Sequence, residues 1–133
     1  MARTFRLCID TPERPLLDRD VTEAQIPAST GYVGILPQHA PMLAELGIGE
    51  LTYVADGRTE SLVVHEGFIE VQPDFVRILA TAAERISDID VARAQAAYEH
   101  AQRRLSIDVS ELERLRAQKA LERAKARLAA AKR

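Results

Sequence analysis

Arg116, Lys119, Arg123 and Arg127 follow one another at intervals of three, four and four residues. On a helix that spacing stacks four cations along one face, where their mutual repulsion calls for an anionic partner. The partner is either a phosphate-bearing ligand or an acidic protein segment, and the plain alternative is a solvated face. Arg93, earlier in the chain, would face the same region if two helices fold back on each other, and would converge with Arg123 and Arg127 on one anion. A charge-assisted hydrogen bond contributes about 1.5 to 3 kcal/mol, and a millimolar ligand needs about 4 kcal/mol net. Two or three arginines therefore suffice for a weak nucleotide sensor, and the planar guanidinium fork suits phosphate better than an ammonium does.

Little else in the chain points to chemistry. His39, His65 and His100 stand apart, without carboxylate or thiol companions at ligand spacing, which argues against a metal site. Ser61, Ser87, Ser106 and Ser110 lack the glycine-flanked elbow of serine hydrolases, and no glycine-rich phosphate loop occurs. Cys8 falls in a predicted strand without a neighbouring base, and as the single cysteine it excludes an internal disulfide and fits a reducing compartment. The chain reads as non-catalytic. A nucleic-acid-binding module using the basic helices is the chief competing reading. Against it, Tyr98 is the single aromatic residue of the basic region, so a stacking platform is missing, and no nucleic-acid partner is expected.

The elements that position these residues change character once along the chain. Thr4 to Asp10 alternates, with Phe5, Leu7 and Ile9 on one face, as a half-buried strand does. Leu16 to Val21 and Glu23 to Pro27 read as short strands, and Gly31 to Pro41 as a tightly specified loop rich in glycine and proline. Gly49 to Val54 and Thr59 to His65 flank Asp56-Gly57, a preferred dipeptide of tight hairpins, and Gly67 to Gln72 and Phe75 to Ala80 flank Pro73-Asp74. After Ser87 the period becomes helical. Ser87 or Asp88 is placed to cap a first helix, whose recurring apolar positions are Ile89, Ala92, Ala96, Ala101 and Leu105. Ser110 and Glu113 form a capping box for a second helix that runs to near Ala131, with Leu121, Ala124, Leu128 and Ala131 at heptad-like spacing. The short connection makes the helices antiparallel neighbours. The predicted fold is α+β, an N-terminal β-sandwich over residues 1–86 followed by a C-terminal antiparallel two-helix hairpin over 87–133.

Composition divides in the same place. Residues 1–87 carry seven Lys or Arg against thirteen Asp or Glu, whereas residues 88–133 carry eleven against seven, within a net charge of −2. The tail is the part that seeks acidic partners. A hairpin seam so rich in alanine is weakly held, because a methyl group contributes about 0.8 kcal/mol where a buried leucine contributes about 1.5 to 3. Such a hairpin is able to open. No apolar stretch of the length needed for a membrane span occurs, and the N-terminus lacks the apolar run of a signal peptide.

Gly31 to Leu43 (GYVGILPQHAPML), His65 to Ala80 (HEGFIEVQPDFVRILA) and the hairpin together resemble the epsilon subunits of bacterial F-type ATP synthases. The resemblance covers essentially the whole chain, and its most specific part is the first of these segments. It implies a non-catalytic subunit of the central rotor, between the membrane ring and the catalytic head, peripheral to the cytoplasmic face of the bacterial plasma membrane. It implies that Ser29, Thr30, Gly31 and Tyr32 approach the c-ring and that His39 meets the gamma subunit, although His39 also reads as a loop histidine that satisfies local backbone.

The hairpin is similar to that of family members that bind ATP as a regulatory ligand rather than as a cofactor. Ile89-Asp90-Val91-Ala92-Arg93-Ala94 fits their I-D-x-x-R-A pattern, and Arg123 and Arg127 fall at their downstream arginines. The resemblance implies that Glu84 and Asp90 face the base and the arginines the phosphates. The plain reading of Asp90 is a residue stabilising a helix start. His100 stands where ATP-binding relatives carry a further arginine, which implies weaker or pH-dependent binding. It further implies restraint of ATP hydrolysis when the hairpin extends and Arg116, Lys119, Arg123 and Arg127 dock on acidic segments of the catalytic subunits, with ATP favouring the folded state.

Overall fold

The computed structural model describes residues 3–132. It divides into two compact units, one ending at Glu84 and one beginning at Arg85. The first unit is built on seven strands: β1 (Phe5–Asp10), β2 (Pro15–Val21), β3 (Glu23–Ala28), β4 (Gly31–Ile35), β5 (Met42–Ala55), β6 (Arg58–Val71) and β7 (Phe75–Arg85). They form one hydrogen-bonded sheet in the order β2-β1-β7-β6-β5-β3-β4, with β1 and β7 parallel. In a flat sheet, six spacings of about 4.8 Å would hold the outer strands about 29 Å apart. Yet Val21 of β2 and Ile35 of β4 belong to one buried cluster with Leu7, Ile26, Leu51, Ile69 and Ile78. The sheet therefore folds over onto itself as a sandwich, with the alternating apolar residues of each strand inside.

Two places in the long strands depart from ordinary extended backbone. Ala55 pairs with Arg58 across a two-residue turn in which Asp56 and Gly57 both have positive φ, 52° and 75°, the conformation the Asp-Gly dipeptide favours. Farther along, the β5–β6 register stays constant on both sides of position 47, where Leu46 pairs with Gly67 and Ile48 with His65, and between them Glu66 lies in the left-handed region at φ 52° with Gly67 at 145°. A Cβ at Gly67 would stand 1.9 Å from the carbonyl oxygen of Leu79, so the close approach of β6 to β7 admits glycine alone.

The strands differ from the sequence expectation at several points. Gly31 to Ile35, expected as loop, is strand β4, since its backbone pairs with Ala24 to Ala28. β5 begins at Met42 rather than Gly49, β6 is continuous where two strands were expected, and β7 runs to Arg85 rather than Ala80. β4 takes its partners from β3 across a tight turn, whereas the added length of β5 pairs with the more distant His65 to Val71 of β6.

The second unit starts with a single 3₁₀ turn, Ile86–Asp88, and contains α1 (Val91–Leu105) and α2 (Glu111–Ala131). Neither Ser87 nor Asp88 caps α1, because the chain is still extended at Ile89. Asp90 caps it instead, accepting a hydrogen bond from the Arg93 amide at 3.1 Å. Ser110 caps α2 through the Glu113 amide at 3.2 Å, and the Glu113 carboxylate turns to Arg104 at 3.8 Å rather than completing the box. The buried residues of the two helices are Ala94, Ala101, Ala117, Ala124 and Ala130. Ala92 and Ala96, expected in the seam, are exposed, and Leu121 and Leu128 are half-buried. No described helix is long and apolar enough to cross a membrane.

Candidate functional site

The first candidate surface lies on the sandwich. Ser29 and Thr30 occupy the tight turn between β3 and β4, held where the Ser29 amide donates to the Glu45 carbonyl at 2.9 Å. Gly31 opens β4 at φ 135°, and Tyr32, 60% exposed, donates its hydroxyl to the Glu50 carbonyl at 2.8 Å. His39 sits in the loop between β4 and β5, half-buried, its Nδ1 2.8 Å from the Ala40 carbonyl.

Ser29 and Thr30 line a groove of about 660 Å³ together with Leu43, Phe68 and Leu79. Those three apolar residues are 82%, 64% and 50% exposed. They stand at outward positions, flanked in their strands by more deeply buried neighbours such as Ile69, Ile78 and Ala80. Polar residues normally occupy such positions, and a grouped apolar surface marks a docking site. The sequence signal was an apolar residue out of phase with its strand, legible only once β5 is known to begin at Met42. Glu45, Glu70 and Arg77 supply polar groups around the same groove.

The second candidate surface belongs to the hairpin. Ile89 is half-buried and extended, and Asp90 spends one carboxylate oxygen on the helix start, leaving Arg93 exposed in the first turn of α1. His100 and Arg123 meet in a groove of about 360 Å³ whose other charged walls are Arg104, Glu113 and Arg116, on a floor of Ala101, Ala117 and Ala120. Arg93 and Arg127 are not among its walls. Arg104 was not singled out from sequence, because its place opposite Arg116 depends on how the hairpin folds back.

Of the four-cation stripe, Arg116 is exposed and Lys119, Arg123 and Arg127 are half-buried. Arg116 and Arg123 immediately precede the buried Ala117 and Ala124, so they flank the seam rather than point away from it. Glu84 is part of β7, in the other unit, with Oε1 3.4 Å from Nε2 of the buried His65. The β7 residue Thr81 donates its hydroxyl to the His65 carbonyl.

Cys8 is half-buried on β1, its thiol donating to Asp18 at 3.4 Å. Burial first, and then the Asp18 carboxylate, pushes that thiol up from its ordinary value, which disfavours a nucleophilic role.

Comparison with known proteins extends over both units. Residues 4–86 match the family model described as the ATP synthase delta/epsilon chain, beta-sandwich domain, and residues 87–132 that of its long alpha-helix domain. Proteins named ATP synthase epsilon chain are 49% identical over 116 residues in Solibacter usitatus, covering 84% of this chain and 87% of that one. In Koribacter versatilis the identity is 54% over 106 residues, covering 79% and 74%. In Bacillus subtilis it is 45% over 104 residues, covering 78% and 79%. Among solved structures, a chain of the Euglena gracilis mitochondrial ATP synthase OSCP/F1/c-ring assembly superposes with a TM-score of 0.84 at 25% identity, over 96% of this chain and 81% of that one. A chain of the Tetrahymena thermophila central stalk/c-ring shares the fold, with a TM-score of 0.73 at 10% identity, over 98% of each chain.

Proposed function

The chain belongs to the ATP synthase delta/epsilon family, as a non-catalytic subunit of the epsilon type, and on that premise we propose that it couples the rotor and restrains ATP hydrolysis through its hairpin. The sandwich docks on the central stalk by its apolar groove. Leu43, Phe68 and Leu79 bury against the gamma subunit, with His39 at the same contact, while the turn from Ser29 to Tyr32 meets the c-ring. The chain thereby sits peripherally at the cytoplasmic face of the bacterial plasma membrane.

The observation that carries the regulatory half is the seam. Among the described residues of the hairpin, every buried one is alanine. Five buried methyl groups contribute about 4 kcal/mol, where five leucines would contribute about twice to four times as much. The closed hairpin therefore lies within reach of an open one. Joined end to end, the span from Val91 to Ala131 would extend about 60 Å, against about 31 Å for α2 alone. Arg116, Lys119, Arg123 and Arg127 then become available to acidic segments of the catalytic subunits, and the exposed Ile107, Leu112 and Leu115 near the turn supply apolar contacts. ATP opposes this by holding Ile89, Asp90, Arg93, His100, Arg123 and Arg127 in the folded arrangement.

Two experiments test the proposal. ATPase activity of the complex reassembled with a chain ending at Ser87 rises at low ATP, and unchanged activity overturns the inhibitory role. ATP titration of the isolated chain gives binding that weakens in Arg123→Ala and Arg127→Ala, and equal binding by all three proteins removes the nucleotide site.

A further inference from the structure

The hairpin groove concentrates more positive charge than the closed hairpin needs. Three guanidinium groups, from Arg104, Arg116 and Arg123, share its walls with one carboxylate, Glu113, and with the imidazole of His100. Its formal charge is +2 with neutral imidazole and +3 once His100 is protonated. The Arg104–Glu113 contact is long, 3.8 Å, between side chains 41% and 48% exposed, so it offsets little of that repulsion and leaves Arg104 with donors to spare. Alanine alone forms the floor, which keeps the groove open. Its volume of about 360 Å³ falls at the small end of ligand sites, roughly 300 to 1,000 Å³. No aromatic ring lines it, so the walls suit an anion and offer no stacking surface for a base.

We propose that this groove is a phosphate site, with Arg104 and Arg116 as ligands beside Arg123, and that His100 tightens binding as pH falls. The occupant is a phosphate or pyrophosphate group, either of a nucleotide or free in solution. The nucleotide case rests on the ATP reading above; the inorganic case stands without it. Arg104 and Arg116 supply planar, bidentate donors from opposite helices, so the bound anion bridges α1 to α2 and closes the hairpin in the absence of a base. His100 faces Arg104 on its own helix and Glu113, Arg116 and Arg123 on the other. A bound phosphate adds negative charge beside the imidazole, so protonation and binding reinforce each other.

The test uses the full chain titrated with inorganic pyrophosphate and, separately, with ATP, at about pH 6 and about pH 8, which bracket the ordinary histidine range. Pyrophosphate binding weakens about tenfold in Arg104→Gln and in Arg116→Gln, the loss of one charge-assisted contact. It is unchanged in Lys125→Gln, which removes an equal charge from an exposed position outside the groove. The affinity ratio of the wild-type chain to His100→Gln rises from the higher to the lower pH, a comparison that cancels the ligand's own titration. Equal binding by Arg104→Gln, Arg116→Gln and Lys125→Gln overturns the site, and a pH-independent ratio overturns the role of His100. ATP binding that falls in Arg93→Ala but not in Arg104→Gln or Arg116→Gln overturns the groove and leaves the nucleotide reading intact. Pyrophosphate binding lost in those two variants, with no ATP binding at all, upholds the groove and overturns the nucleotide reading. Helix content by circular dichroism verifies that each variant is folded.

Discussion

Gly67→Ala isolates the contact that brings β6 against β7. The new methyl carbon would lie 1.9 Å from the Leu79 carbonyl oxygen and 3.0 Å from the Ala80 Cα, both backbone atoms of β7 that cannot rotate away. The position also has φ of 145°, which side chains disfavour by about 1 to 3 kcal/mol. Forcing the strands apart adds about 1 to 3 kcal/mol. A total of about 2 to 6 kcal/mol, at about 4 to 8 °C per kcal/mol for a unit of this size, lowers Tm by at least about 8 °C. Gly57→Ala is the control, since its φ of 75° is also unfavourable but nothing lies within 4 Å of the added carbon. It loses about 1 kcal/mol. Thermal unfolding followed through the sheet's own amide resonances separates this transition from melting of the hairpin. A Tm for Gly67→Ala no lower than that of Gly57→Ala would refute the steric reasoning.

Phe68→Glu leaves the stability of the sandwich within about 0.5 kcal/mol, because the side chain is 64% exposed, yet lowers retention in the reassembled ATP synthase; undiminished co-purification contradicts docking through the apolar groove. Asp90→Ala removes the cap of α1 at a cost of about 1 kcal/mol and speeds amide exchange at Arg93, whereas Asp90→Asn preserves the cap; equal exchange in both variants contradicts that role. The raised pKa of Cys8 keeps its thiol protonated through the neutral range, so alkylation runs slower than for a free cysteine, and an equal rate contradicts the effect of burial and Asp18.

Local pattern made most of the strands legible. Phe5, Leu7 and Ile9 alternate as they are buried, and Asp56-Gly57 announces its turn. The pattern stopped short where strand pairing decides: Gly31 to Ile35 looks like loop until Ala24 to Ala28 lies beside it, and Leu43 has no outward direction until β5 is extended to Met42. The positive-φ pair Glu66 and Gly67 falls where one strand reads as two. In the hairpin, helix existence followed from period and caps, but rotation did not. Small residues occur on several faces, so alanine identity alone does not tell the buried Ala94 and Ala117 from the exposed Ala92 and Ala96. For the same reason the groove that joins His100 and Arg123 to Arg104 and Arg116 had no signature in either helix alone.

Reversible opening of the hairpin is tested most directly by a distance within it. With Cys8→Ser as background, spin labels at Gln95→Cys and Lys125→Cys sit on exposed positions of α1 and α2. Packed antiparallel helices hold them within about 20 Å, and a single continuous helix separates them by about 45 Å. In the reassembled complex, pulsed electron resonance at low ATP should show the long distance gaining population, and added ATP should restore the short one. A short distance that persists at every ATP concentration would contradict a hairpin that opens to restrain hydrolysis.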